Sequence, residues 1–338
     1  MDLCFKPLEA SDVEALRPYF SLRSNLTCDS VILDSFLWKD YYGCEFALVE
    51  GEAVLLLSHV GDQYKACLPV CRKEDMARFF AVMEDYMNRQ LHRPMEVIFA
   101  DEPGIQALEL APGRYQVQEE VDAADYVYDA ESLRTLAGKK YHKKKNHINA
   151  FLKEYEGRWE YRRITMADRD QVWQFLDRWR SSKGDDAGHH LDGEVEGIHS
   201  ILHHMDELGT CVAGIWVDGQ LEAFTVGSYN PVDRMAVIHI EKANSEIRGL
   251  YPLINQQFLV HEFPEAVLVN REDDVGLPAL RKAKESYHPI FMVNKYTLTQ
   301  LDYRPAGEGA PDSREEENPG SHKEEKPDPR KEGGPCAG

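Results

Sequence analysis

No apolar run in this chain of 338 residues approaches the length of roughly 20 residues that a membrane-spanning helix needs. The most continuous one, Ala53 to Leu57, is strand-sized. The opening Met1-Asp2-Leu3-Cys4-Phe5-Lys6-Pro7 has no basic segment followed by an apolar core, so no signal peptide is expected. Basic charge is scarce: 39 lysines and arginines face 59 acidic residues, a net charge of −20. That balance excludes a general nucleic-acid coat and leaves room for a local basic groove. The cysteines (Cys4, Cys28, Cys44, Cys67, Cys71, Cys211 and Cys336) are odd in number and lack redox or zinc-ribbon spacing. They read as reduced thiols of a cytoplasmic protein. Phosphate-loop and serine-elbow motifs are missing as well. His199 and His203 are four apart, with His204 beside them and His189-His190 upstream, but no Cys or carboxylate completes a set. No metal centre is expected.

What is present is a repeated order of elements. The length allows two domains. Residues 1–128 read as a helix (Ser11 to Tyr19), an irregular stretch, a hairpin (Cys44 to Val49 and Ala53 to Ser58) and a strand (Tyr64 to Val70). A long helix (Lys73 to Leu91), a strand (Met95 to Ala100), a short helix (Ile105 to Leu110) and an extended piece (Tyr115 to Tyr128) follow. Residues 158–302 repeat this: helix Asp168 to Trp179, loop Lys183 to Gly193, helix Val195 to Leu208, then an Asp218-Gly219 hairpin. Strand Met235 to Glu241, helix Tyr251 to Phe263, strand Ala266 to Val269, helix Leu277 to Ser286 and strand Phe291 to Leu298 complete it. The fold class is α/β (α+β), an internal duplication of mixed sheets flanked by helices. Residues 129–157 form a basic connecting helix, and 303–338, dominated by Pro, Gly, Glu, Lys and Asp, are expected to be a disordered tail.

The stretch Asn270 to Pro289 places Arg271, Glu272, Asp273 and Asp274 at the carboxyl end of a strand, where open α/β sheets put their ligands. Glu241 ends a neighbouring strand, so Glu241 and Glu272 are expected in one cleft, where either could accept a proton. Asn244, Asn255, Asn270 and Arg271 would donate hydrogen bonds there, and Arg271, Arg281 and Lys284 could neutralise a phosphate or carboxylate. Lys139, Lys140, Lys143 and Lys144 crowd one side of the connecting helix. Such like-charge crowding destabilises a helix unless an anion or an acidic surface answers it.

Three motifs stand together: Gly138-Lys139-Lys140-Tyr141-His142-Lys143-Lys144-Lys145-Asn146 running on to Phe151, Ile240-Glu241-Lys242-Ala243-Asn244 leading to Tyr251-Pro252-Leu253-Ile254-Asn255, and Asn270 to Pro289. From about residue 5 to 300 the chain resembles the family defined by the C-terminal domain of bacterial phosphatidylglycerol lysyltransferases, in its soluble stand-alone form. The resemblance implies two tandem GCN5-related N-acetyltransferase (GNAT)-like domains. It also implies an acyltransferase moving an aminoacyl or acyl group from an activated anionic donor, aminoacyl-tRNA favoured, to an amine or hydroxyl of a small molecule or lipid headgroup. Glu241 and Glu272 are then the expected catalytic residues. Lys139, Lys140, Lys143, Lys144, Lys145, Asn146, Lys242, Asn244, Asn255, Asn270, Arg271, Asp273, Arg281, Lys284 and Tyr287 are the expected donor- and substrate-binding residues.

No tightly bound cofactor is expected, and acyl-coenzyme A is the other candidate co-substrate. Coenzyme A enzymes of this superfamily show a Gln/Arg-x-x-Gly-x-Gly/Ala turn; the matching place here reads Ser245-Glu246-Ile247-Arg248-Gly249-Leu250-Tyr251-Pro252. The alternatives are a non-catalytic ligand-binding module with the same fold, or an acetyl-coenzyme A-dependent N-acetyltransferase.

Overall fold

The computed structural model describes residues 3–182 and 188–305; residues 306–338 of the expected tail and the first part of the expected 183–193 loop lie outside them. The strands among the described residues are β1 (Lys6–Pro7), β2 (Glu45–Val49), β3 (Ala53–Val60), β4 (Gln63–Ala66), β5 (Glu96–Asp101), β6 (Tyr115–Glu119), β7 (Asp125–Asp129), β8 (Trp159–Arg163), β9 (Cys211–Val217), β10 (Gln220–Asn230), β11 (Met235–Ala243), β12 (Leu268–Asn270), β13 (Phe291–Val293) and β14 (Lys295–Gln300).

They form two seven-stranded sheets, β1-β2-β3-β4-β5-β14-β6 and β8-β9-β10-β11-β12-β7-β13. The two orders match position for position. In each, the fourth and fifth strands are parallel (β4 with β5, β11 with β12) and the other neighbours are antiparallel. This is the duplication of mixed sheets flanked by helices expected from the sequence.

The sixth position breaks chain order. In the first sheet it is held by β14, from the end of the second half; in the second sheet it is held by β7, from the end of the first half. Sheet membership therefore cuts across boundaries at 128 and 302. The single extended piece read over Tyr115 to Tyr128 is divided by one 3-10 turn, Val121–Ala123, and its two strands enter different sheets. The single strand read over Phe291 to Leu298 is divided at Asn294 in the same way. Both fragments keep strand composition, so nothing in the apolar pattern marks the break.

Three apolar layers follow. On the outer face of the first sheet, helix Met76–Arg89 buries Met76, Phe79, Phe80, Met83 and Met87 at helical spacing. Between the sheets, Phe36, Phe175, Leu176 and Ile201 pack against Val54 and Leu56 of the first and Phe224, Val226 and Ile240 of the second. Phe36 belongs to helix Ile32–Leu37, which lies in the segment read as irregular. On the far face of the second sheet, Ile148 and Phe151 of helix His142–Glu154 and Leu253, Ile254 and Phe258 of helix Leu250–His261 cover Ala236, Ile238 and Ala243. No helix among the described residues is long and apolar enough to cross a membrane.

The exchanged strands meet where they begin. Lys295, the first residue of β14, is 2% exposed, and its Nζ lies 3.0 Å from Oδ1 of Asp125, the first residue of β7. Burial alone would discharge this lysine, but Asp125, then Asp29 and Cys28, outweigh it and raise its pKa well above the ordinary value. Replacing Lys295 by Met strands a buried carboxylate and is expected to cost about 3–5 kcal/mol. The check is a lower urea midpoint at unchanged slope, partly recovered when Asp125→Asn is added. A Lys295→Met midpoint equal to the parent's would mean that the pair does not hold the exchange together.

Candidate functional site

β11 and β12 pair in parallel over Met235–Val237 and Leu268–Asn270. β12 then ends, whereas β11 continues to Ala243, so the two strands part. Local features of both strands shape this wedge. β11 carries a bulge, since Val226 faces Ile240 but Gly227 faces Ile238, which leaves His239 as the extra residue. Beyond β12 the chain turns off through Glu272, whose φ is +59°. The bulge puts His239 and Ile240 towards the inter-sheet layer and Glu241 towards the far face. Two side-chain pairs then bridge the wedge, one on each face: Arg271 with Glu241 at 2.8 Å, and His239 with Glu272 at 2.8 Å.

On the far face, the Glu241 carboxylate accepts from Arg271 Nη2 and from Asn255 Nδ2, each at 2.8 Å. Both charged side chains are about nine-tenths buried, at 10% and 11% exposure. Burial works against the Arg271 charge, but Glu241, with Tyr287 and Tyr128 beside it, holds its pKa above the ordinary arginine value. Arg271 Nη1 is buried and makes no hydrogen bond of regular geometry among the described residues, with the Tyr287 side chain lying against the guanidinium. The Arg271 guanidinium lies 4.5 Å from the Tyr287 ring centre. Lys144 Nζ sits 3.3 Å from the same centre and donates to Ser286 Oγ at 2.8 Å. Burial, then the nearby Arg271 charge, pulls the Lys144 pKa down to about 8.

On the inner face, His239 Nδ1 meets Glu272 and lies 3.8 Å from Asp34 Oδ1, while its Nε2 and Ser228 Oγ are 2.7 Å apart. Burial lowers the His239 pKa to about 4 and raises those of Asp34 and Glu272, Asp29 adding to the rise at Asp34.

The expectation of one cleft holding both glutamates is therefore corrected. They stand at the ends of adjacent strands, as read from the sequence, but the bulge turns Glu241 to one face and leaves Glu272 on the other. Cavities of about 170 Å³ (beside Pro7, Lys39, Gly43 and His59) and about 50 Å³ (beside Arg23, Asp29, Ser35 and Asp101) are lined by neither.

Of the other expected residues, Asn255, Arg271, Tyr287 and Lys144 join Glu241. Lys242 points the opposite way, onto Glu194 at 2.5 Å and over Trp179. Asn244 bonds Glu222 and the Glu246 N–H within a turn. Asn270 is a brace: it donates to the Leu26 carbonyl and to Asp125, and accepts from the Glu272 N–H. Asp273 accepts from the Val275 N–H, and Lys284 donates to the Arg271 and Asp273 carbonyls, fixing the turn. Arg281 clamps Asp274 and Asp122 and holds the Asp274 carboxyl down at about 2. Lys139, Lys140, Lys143, Lys145 and Asn146 are exposed. None of the five lysines from 139 to 145 makes an ion pair among the described residues. His199 and His203 both pack on the Trp173 ring.

Sequence reasoning missed His239, Asp34 and Ser286. His239 lies two residues before Glu241, and only the bulge separates their faces; Asp34 was hidden in a segment without evident periodicity. Gly249, at the N-cap of helix Leu250–His261, has φ +90° and lies so close to helix His142–Glu154 that a Cβ would sit 2.2 Å from the His147 carbonyl oxygen. The helix start at the matching place is thus packed against protein.

The family model described as phosphatidylglycerol lysyltransferase, C-terminal, matches residues 27–299. A conserved protein of unknown function from Bacteroides thetaiotaomicron has a crystal structure with TM-score 0.82 and 26% identity, covering 89% of this chain and 100% of that one. The C-terminal domain of an Agrobacterium fabrum protein assigned as a lysylphosphatidylglycerol synthetase gives TM-score 0.60 at 14% identity, covering 87% and 93%. The L-PGS structure from Bacillus licheniformis gives 0.58 at 14%, covering 80% and 91%. An uncharacterised protein of Mycoplasmoides gallisepticum is 26% identical over 211 residues, 62% of this chain and 67% of that one. The resemblance drawn from the three motifs is borne out by the family match.

The geometry singles out Lys144 among its neighbours. Competitive labelling of surface amines, followed by mass spectrometry across pH, is expected to give Lys144 a half-maximal reactivity near pH 8. Arg271→Met removes a neighbouring positive charge and is expected to move that midpoint upward; no movement would rule out the guanidinium as a contributor.

Proposed function

We propose an acyl-transfer role, and its premise is that the chain belongs to the family of phosphatidylglycerol lysyltransferase C-terminal domains. The reaction assigned is movement of an aminoacyl or acyl group from an activated anionic donor to an amine or hydroxyl acceptor. Aminoacyl-tRNA is the first donor to test, and the acceptor is a small molecule or a lipid headgroup. The observation that carries the reading is the far-face cluster, in which a buried carboxylate stands beside a buried guanidinium.

In this scheme the acceptor nitrogen or oxygen attacks the acyl carbon and Glu241 takes its proton. The Arg271 Nη1–H donates to the carbonyl oxygen as negative charge collects there. The bond to the donor oxygen then breaks, and the proton held by Glu241 passes to that leaving oxygen. Lys144 and the unpaired lysines at 139, 140, 143 and 145 supply an anion-binding approach. Glu272, on the other face, is given no part in the chemistry. The packing of His147 against Gly249 supports a donor other than coenzyme A, because it covers the helix start that would cradle a pyrophosphate.

A non-catalytic binding module is the second reading, favoured by one feature: both Glu241 oxygens already accept hydrogen bonds. Transfer of a labelled aminoacyl group from aminoacyl-tRNA to phosphatidylglycerol vesicles or to small amines separates the two. The enzyme reading expects Glu241→Gln to lose about 10²–10⁴-fold in rate with donor affinity kept. The Lys143→Ala, Lys144→Ala, Lys145→Ala variant is expected to bind the donor more weakly, with a shallower salt dependence. Binding without turnover in the parent would leave the module reading standing.

A further inference from the structure

We propose that Asp34, His239 and Glu272 form a binding site for one divalent ion of the zinc class, between the two halves of the chain. Their ligand atoms all lie within 4.8 Å of one another. Each comes from a different segment: helix Ile32–Leu37, the β11 bulge, and the turn beyond β12. One imidazole and two carboxylates are a donor set that suits Zn²⁺, with Mn²⁺ as the nearest competitor.

The distances fit. Tetrahedral bonds of about 2.0–2.2 Å place ligand atoms roughly 3.3–3.6 Å apart. The present separations from His239 Nδ1, 2.8 Å to Glu272 and 3.8 Å to Asp34, bracket that range. Small side-chain shifts would open the triangle.

Independent of the cluster's composition, Asp34 is buried, its side chain 12% exposed, and its carboxylate stands 3.8 Å from His239 Nδ1, beyond hydrogen-bond reach. A carboxylate so buried is normally satisfied, and this one faces the other two ligands. Ser228 holds the second ring nitrogen of His239, the outer contact that metal-bound imidazoles regularly have. The surrounding charge favours a cation, since Asp29, Asp125 and Asp273 lie nearby with Lys295 and Lys284 to offset them. A neighbouring group, Cys28, Asp29 and Asp34, is also close enough to share an ion, but Cys28 Sγ already accepts from the Lys295 ammonium, which would repel one.

The test uses the full chain, dialysed against a chelator and titrated with Zn²⁺ and Mn²⁺. One equivalent of Zn²⁺ per chain by elemental analysis, with a rise in Tm reversed by chelator, is expected. Asp34→Asn and Glu272→Gln should each abolish both effects. Co²⁺ bound to the parent should give visible bands of a tetrahedral nitrogen and oxygen site without thiolate charge transfer, a readout that stands even if a variant fails to fold. Failure to bind either metal, retention of the equivalent in Asp34→Asn (as an ion on His199 and His203 would show), or a thiolate band would each overturn the site.

Discussion

An ammonium removed from water persists as a charge only beside carboxylates, and the second half of this fold is arranged around one such requirement. Lys295 finds its counter-charge in Asp125, and Asp125 is also bonded by the Cys28 N–H at 2.6 Å and by Asn270 Nδ2 at 3.0 Å. Asn270 in turn accepts from the Glu272 N–H. A single buried charge thus ties the start of β14, the start of β7, a loop of the first half and the turn that carries Arg271 and Glu272. The functional turn inherits its position from the contact that joins the two sheets.

The parting of β11 and β12 depends on that anchored turn. A regular strand would have put His239 and Glu241 on the same face, two residues apart. The bulge at His239 separates them, so each finds a different partner from the turn beyond β12: Glu241 takes Arg271, and His239 takes Glu272. Side-chain pairs replace the backbone ladder where the strands diverge. They leave one face lined by helices His142–Glu154 and Leu250–His261 and the other facing the first half of the chain.

Much of this was legible in the residues. The duplication, the adjacency of the strands that end at Glu241 and before Arg271, and the placing of Glu241 and Arg271 to Asp274 at strand ends follow from apolar runs and turn chemistry. Lys139 to Lys145 stood out through like-charge crowding. The exchange of β7 and β14 was not legible, because pairing partners about 140 to 200 residues apart leave no local trace. Nor were the two faces of the wedge, because a one-residue bulge reverses every orientation downstream of it and has no reliable signature. Lys242, Asn244 and Arg281 share their sequence neighbourhood with the cluster, but strand alternation and turn geometry send them to structural partners.

The exchanged sixth strands bear on how the chain is made. The first sheet lacks its sixth strand until β14 has been synthesised; the bond from the Met95 N–H to the Gln300 side chain spans 205 residues. An emerging first half would wait on the ribosome with β5 and β6 unpaired on their facing sides, a condition in which exposed strand edges invite other chains. Neither half is a severable module, and late pairing of this kind slows assembly because distant segments must meet before they gain stability. A chain built this way binds its two repeats into one cooperative unit at the cost of a vulnerable interval during synthesis.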